Sequence, residues 1–354
     1  MWIWVIVAII AFGILIAIHE LGHFTAAKLL GVKVNEFAIG MGPKILKKQG
    51  KETLYALRAL PFGGFCALEG QDDGTGDPRS FTAQKRWRRV VILAAGSAAN
   101  IIAAFIIVVI LTSGMTVFGG TTITNLLDDF PNKGEHGLMA GDTIVSINGE
   151  HLYYVNDFWM FMQLARSEQV DLVIRRDGET RTLNRFPLER REYTVNGETR
   201  LRYGISFNDI ESNALEVLKF SGYTTMNYVR LIRVSIAQLF SGGVGVQDLA
   251  GPVAIVDTMS NIGQAAPSVG AAIGDIAGFM AFIGVNLAVV NMLPIPAMDG
   301  GRILFIIVSW IIEKIIRRRI DPKYEGYIHT AAFVLLMGFM VFILVNDVMR
   351  LING

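Results

Sequence analysis

The sequence predicts a polytopic α-helical membrane protein with four transmembrane helices, a short β-hairpin and one inserted α+β domain. Three observations predict it. Residues 2–18, 90–112, 276–312 and 328–345 are uncharged or nearly so, and a helix crossing a bilayer needs about 20 apolar residues. The composition is 52% hydrophobic and only 18% charged, with a mean hydropathy of +0.44, which excludes an ordinary soluble enzyme. Residues 117–207 alone have mixed polarity, with alternating strands and Asn-Gly and Asp-Gly turns.

The first span carries the chemistry. Seventeen uncharged residues, 2–18, run directly into His19-Glu20-Leu21-Gly22-His23. No basic segment precedes the apolar run and no small-x-small cleavage site follows it, so an uncleaved span is expected. Residues four apart share a helix face, so His19 and His23 can offer two imidazole nitrogens to one zinc ion. Glu20 cannot share that face as a ligand, but it can reach a water held by the metal, the general-base role in H-E-x-x-H metalloproteases. Two surface histidines on a soluble helix are the plainer reading, and they would need water on that face. A Glu between two His at a span's end costs several kcal/mol unless paired, solvated or bound to metal. The helix is expected to stop near Leu30 with Gly31 as its C-cap. His19 then lies roughly 14 Å along the axis from Lys28, the first charge beyond it, which puts the site inside the bilayer.

Residues 32–39 and 53–59 read as short strands around a polar turn at residues 47–50. Pro61-Phe62-Gly63-Gly64-Phe65 reads as a loop; its paired glycines permit close approach of another chain and equally mark an ordinary turn. Residues 70–80 read as an exposed loop. The single cysteine, Cys66, excludes an intrachain disulfide and suits a small buried hydrophobe. The second span, 90–112, has a small-residue run at 94–99 that permits close helix packing. Asn100 should face the protein interior, either joining helices or taking a place in the site.

In the inserted domain, residues 137–149 form a turn, an alternating strand and an Asn148-Gly149 turn. A helix is expected over 155–166, a strand over 170–175 and a hairpin turn at Asp177-Gly178. Residues 213–241 read as an amphipathic helix, at the membrane interface or packed on the spans. Residues 251–255 and 267–274 read as loops. The third apolar stretch, 276–312, is 37 residues long, too long for one simple span, and contains Pro294, Pro296, Asp299 and Arg302. Two prolines one residue apart forbid a continuous helix, and unwound backbone at membrane depth must be buried in protein or line a wet cavity. An Asp placed there needs a cation. Catalytic zinc commonly takes three protein ligands and leaves one position open, and His19, His23 and Asp299 supply three. Pairing of Asp299 with Arg302 is the alternative, and it leaves the two histidines unexplained.

Charge sets the orientation. Residues 24–90 carry twelve Lys/Arg against six Asp/Glu, and loop 313–325 carries five basic residues including Arg319. Residues 113–222 carry eleven basic and sixteen acidic. The positive-inside rule then places loops 24–90 and 313–325 in the cytoplasm, and the inserted domain and both termini outside. Net charge is +1, and no basic, aromatic-interleaved patch suggests a nucleic-acid partner.

These motifs together resemble a known family. H-E-L-G-H in the first span, Gly96-Ser97-Ala98-Ala99-Asn100 in the second and Asn291-Met292-Leu293-Pro294-Ile295-Pro296-Ala297-Met298-Asp299-Gly300-Gly301 in the third are similar to the site-2 protease pattern. The Gly-Leu-x-x-Gly-Asp-x-Ile-x-x-Ile-Asn-Gly run at 137–149 resembles a PDZ domain. Its position makes the chain similar to proteases of the bacterial regulator-of-sigma-E type. The resemblance implies zinc ligands His19, His23 and Asp299, with Glu20 as base and Asn291 holding substrate backbone. It also implies a membrane-associated β-hairpin at 33–65 whose edge, with Gly63 and Phe65, meets the substrate. The division it implies is a catalytic membrane part at 1–116, the PDZ domain at 117–207, an amphipathic connector at 208–275 and a second catalytic membrane part at 276–354. The implied activity is cleavage of single-span membrane proteins such as pre-cleaved anti-sigma factors, in a bacterial plasma membrane, with the active site near the cytoplasmic side. The chain departs from the pattern where Ser97 replaces the usual Pro, where Met298 replaces the usual Leu, and in having one PDZ domain where some relatives have two. The alternative is a PDZ-bearing membrane scaffold with a non-catalytic zinc site. A transporter also fits broken helices with an intramembrane Asp, but the two halves show no inverted repeat.

Overall fold

The computed structural model describes residues 2–71, 76–165, 167–195, 198–241, 251–318 and 323–353. Part of the expected loop at 70–80, the expected helix end at Arg166, and Arg319 lie outside the described residues. The chain divides into two compact units, residues 1–111 with 228–354, and residues 112–227.

In the first unit, α1 (Trp2–Leu29) holds the uncharged run and the histidines together. It stops where expected. Gly31 takes φ 80, Val32 N–H donates to Ala27 O at 2.8 Å and Gly31 N–H to Lys28 O at 3.2 Å, the paired bonds of a Schellman cap. Ile3, Ile6, Ile10 and Ile14 are all more than half exposed. They form one stripe at helical spacing, as lipid contact requires.

The hairpin is larger than expected. β1 (Val34–Gln49) and β2 (Leu54–Leu68) meet at a turn where Gly50 N–H donates to Thr53 O at 2.9 Å. Each strand is bent, so residues 36–39 lie between two stretches of β2: Phe37 pairs with Tyr55 and Cys66, and Ala38 with Ala56 and Phe65. Residues 44–49 return along residues 54–58. The expected loop at 61–65 is therefore strand, and the expected turn at 47–50 is displaced to 50–53. Proline and glycine suggested a break there, but an outer stretch of sheet tolerates both.

α2 (Arg86–Thr112) follows as the second span. After the inserted domain the first unit resumes in α4 (Ala214–Phe240), then α5 (Pro252–Ala265) and α6 (Val269–Asn291). The expected loops at 251–255 and 267–274 are largely helix. Pro252 sits at the start of α5, where its missing N–H costs nothing, and Ser268 caps α6 by accepting from Ala271 N–H. The long third stretch breaks as expected. α6 ends at Asn291, residues 292–298 unwind with Ala297 at φ 78, and α7 (Asp299–Ile316) begins. α8 (Lys323–Asn353) contains the fourth span-length segment. Among the described residues, four helices are long and apolar enough to cross a membrane: α1, α2, α6 and α8. Ala8, Leu15, Met259, Ile276, Met280 and Ile283 pack α1, α5 and α6 together. In lipid such contacts hold by close van der Waals packing, since transfer from acyl chains gains little.

The second unit carries a twisted sheet with strand order β10-β3-β4-β6-β7. Its elements are β3 (Val117–Leu126), β4 (Thr143–Ile147), β5 (Glu150–His151), α3 (Val155–Leu164), β6 (Gln169–Arg176), β7 (Glu179–Pro187), β8 (Arg191–Val195), β9 (Glu198–Arg202) and β10 (Ile205–Glu211). Asn148 and Gly149 both take positive φ, 49 and 82, the tight turn their pairing predicts. Ile144, Ile147, Phe158, Leu172 and Ile174 are fully buried in one core, each worth about 1.5–3 kcal/mol of transfer. Arg176 closes that core against Asp142 through two hydrogen bonds of 2.7 Å. α4 (Ala214–Phe240) leaves this unit near Asn227 and continues in the first.

Candidate metal and catalytic centre

The site is built from three pieces of the first unit. α1 presents His19 and His23, four residues apart. The break between α6 and α7 leaves Asn291 as the last residue of one helix and Asp299 as the first of the next. α2 forms the back wall. A side chain on Gly96 would place its Cβ 2.4 Å from His23 Nε2 and 2.8 Å from His19 Nε2, so only a glycine lets α2 pass behind both rings. Gly22 meets Ala95 O equally closely, at 2.3 Å from its would-be Cβ.

Three ligand atoms converge. His19 Nε2 and His23 Nε2 are each 3.2 Å from Asp299 Oδ2 and 3.1 Å from one another. Ligands 2.0–2.2 Å from a tetrahedral zinc stand roughly 3.3–3.5 Å apart, so the observed triangle is within a few tenths of an ångström of that size. Charge-assisted hydrogen bonds would be shorter, about 2.7–2.9 Å. The tautomer points the same way. His23 Nδ1 lies 2.8 Å from Ile92 O, so it carries the proton, and Nε2 turns a lone pair towards a carboxylate. Two acceptors facing each other are reconciled by a cation. The residues present thus fit zinc. The two histidines are 6% and 8% exposed, so the cluster is enclosed and the metal would be largely shielded from bulk water.

Glu20 lies beside this cluster, in electrostatic reach of His19, His23 and Asp299, with the Cys66 amide as a hydrogen-bond partner. A Cβ on Gly64 would sit 3.4 Å from Glu20 Cγ. The stretch of β2 around residues 64–66 is therefore what flanks Glu20. Gly63, expected at the edge that meets the substrate, faces Met41, whose Cε lies 2.6 Å from its would-be Cβ. Phe65 carries the Arg58 guanidinium 4.8 Å above its ring. Sequence reasoning missed Gly64 and Cys66 as site neighbours, and the doubled glycine was the one available signal. Burial pushes the Cys66 thiol up to about 12, so it stays protonated and offers no rival thiolate nucleophile. Asn291 Nδ2 is 3.3 Å from His19 Nε2, beside the three converging ligand atoms.

Behind the rings, α2 contributes unspent polar atoms. Asn100 is fully buried, and its Oδ1 and Nδ2, Ser97 Oγ and His19 Nδ1 are all buried without a hydrogen-bond partner among the described residues. Each such atom costs about 1–3 kcal/mol if left so.

The inserted unit has its own concavity of about 480 Å³, lined by Trp159 of α3, Arg190, Arg202 and residues 203–206 at the start of β10. β10 is the edge strand of its sheet among the described residues.

A pair of histidines on a span-length helix, converging with an aspartate and with a glutamate beside them, is a donor set that fits a zinc hydrolase built into a helical membrane protein. Residues 7–339 match peptidase family M50, and the chain belongs to that family. It is 34% identical to a protein of Clostridium acetobutylicum over 99% of this chain and 98% of that one. It is 36% identical to one of Clostridium perfringens over 98% of each. Both bear the name "Putative zinc metalloprotease". The regulator of sigma-W protease RasP of Bacillus subtilis is 27% identical over 98% of this chain and 98% of that one, aligned across 428 residues. The protein is a zinc-dependent membrane metalloprotease, and the scaffold alternative is not favoured.

Proposed function

We propose that this chain cuts single-span membrane proteins within or near their membrane segment, with His19, His23 and Asp299 as zinc ligands and Glu20 as general base. The observation that carries the reading is the convergence of the three ligand atoms within 4.8 Å of one another, with Glu20 on the same helix and an outer stretch of β-sheet beside it. Bound zinc supplies a Lewis acid for the scissile carbonyl and acidifies an attacking water. The Glu20 carboxylate takes the proton of that water and passes it to the leaving amide nitrogen. Asn291 holds substrate backbone beside the metal. A peptide bond inside a helix is shielded by its neighbours, so the substrate must unwind, and the stretch around Gly64 and Cys66 offers an extended chain a strand to pair with.

The positive-inside bias supports an orientation with loops 24–90 and 313–325 in the cytoplasm and the PDZ-like inserted domain outside. A relative named as a regulator of a sigma factor supports pre-cleaved anti-sigma factors as one substrate class. The test compares wild type with Glu20→Gln and with His19→Ala, His23→Ala and Asp299→Ala in membranes. Glu20→Gln should keep one zinc per chain and lose turnover, with uncut single-span proteins accumulating by mass spectrometry, while the three ligand variants should lose zinc. A Glu20→Gln protein that cuts at the wild-type rate would sink the mechanism.

A further inference from the structure

The two histidines are supported unequally. His23 Nδ1 has the Ile92 carbonyl at 2.8 Å, which fixes its tautomer and leaves Nε2 for the metal. His19 needs the same support, because a metal-bound imidazole almost always donates its other N–H to a carbonyl, a carboxylate or a water. Its Nδ1 is buried and has no hydrogen-bond partner among the described residues.

The helix contacts say where that support must come from. Along α1 from His23 to His19, the facing positions on α2 run from Ile92 to Gly96, and one further turn along α2 reaches Asn100. His23 meets Ile92, both rings meet Gly96, and Leu15 and the Asn100 carbonyl both lie against Gly284. Ser97 and Asn100 are three residues apart and share a face of α2. Both are buried, and neither side chain has a hydrogen-bond partner among the described residues. Direct joining of helices, one role expected of Asn100, would have provided one.

We propose that Asn100 and Ser97 are positioning residues for His19, holding between them one buried water that accepts the His19 Nδ1 proton. The water accepts from Nδ1–H and donates to Asn100 Oδ1 and Ser97 Oγ, three bonds, as buried waters typically make. His19 is then held in the tautomer that turns the Nε2 lone pair to zinc. The inference rests on the zinc site proposed above.

The test uses the full chain in detergent, with zinc affinity read by competition against a chelator and with the absorption spectrum of the cobalt-substituted protein. Asn100→Ala should weaken zinc binding about 10- to 100-fold, the usual effect of losing such support, and shift the cobalt bands. Asn100→Asp keeps an acceptor at the same place and should recover most of the affinity. Ser97→Ala should give a smaller loss in the same direction. A residue that only packs helices would lower the melting temperature and leave the chelator competition unmoved. Zinc affinity within twofold of wild type in Asn100→Ala would overturn the proposal. Should that variant fail to fold, unchanged affinity in Ser97→Ala would overturn it equally. If wild type itself takes up no zinc, the metal site fails first; if wild type binds and Asn100→Ala binds as tightly, only this inference fails.

Discussion

Replacing Gly96 by alanine should dismantle the metal site without unfolding the helix that carries it. The new Cβ would lie 2.4 Å from His23 Nε2, whereas ordinary contact begins near 3.4 Å; the difference, 3.4 − 2.4, is 1.0 Å. His23 has little room to retreat, because its Nδ1 is tied to the Ile92 carbonyl at 2.8 Å. Zinc–ligand distances hold to about ±0.2 Å, so a shift of that size takes the ring out of bonding range. A loss of at least about 100-fold in zinc affinity is expected, equivalent to ~2.7 kcal/mol. Helix propensity acts the other way, since alanine gains about 1 kcal/mol over glycine in a helix interior. Gly338→Ala is the control, because among the described residues nothing beyond its own stretch of helix backbone lies within 4 Å of its would-be Cβ. The assay is zinc content by mass spectrometry, with cleavage of a single-span substrate and a melting curve. Full zinc occupancy and wild-type cleavage in Gly96→Ala would refute the packing argument.

Three further predictions concern other links in the chain. Reporter tags at residues 75 and 320 should be cytoplasmic and tags at 180 and 354 external; a cytoplasmic tag at 180 would put the site nearer the opposite leaflet. Glu52 joins the end of α1 to the loop before α2, accepting from Lys28 and Arg79 at 2.7 Å each, and those hydrogen bonds hold its carboxyl down at about 2. Its stabilising effect is complete above an unfolded value near 4.5 and is lost as pH falls from there through about 2. Amide protection in the 50–54 turn, taken relative to intrinsic exchange at each pH, should therefore fall over that window in wild type and not in Glu52→Gln. Finally, the inserted domain should act as a gate on substrate size. Removing residues 119–206 behind a flexible linker should let a substrate with a folded ectodomain be cut, whereas loss of cleavage even of a short stub would favour peptide capture at the concavity beside Trp159.

Much of this protein was legible in its sequence because the relevant physics is local. Seventeen uncharged residues followed by His-Glu-Leu-Gly-His specify a span and a one-faced pair of imidazoles with helical periodicity alone. Gly31 ends α1, and Asn148-Gly149 turns the strand, through backbone preferences that depend on one or two residues. Pro294 and Pro296 break the third apolar stretch for want of an N–H and for steric reasons, whatever surrounds them. The same local rules misled at Pro61–Phe65, which read as a loop, because sheet pairing with residues 34–39 overrides turn composition. They misled again at 251–274, where capping by Ser268 and a proline at the start of α5 permit helices that a loop-like composition hid. Tertiary structure alone decided which of two adjacent glycines lies against Glu20, since strand alternation turns Gly64 to α1 and Gly63 to Met41. It alone also decided that α2 passes behind the imidazoles at Gly96, leaving the polar side chains of Ser97 and Asn100 buried there. Such meetings join residues tens to hundreds of positions apart, and they follow from how packed elements share space, which no local pattern encodes.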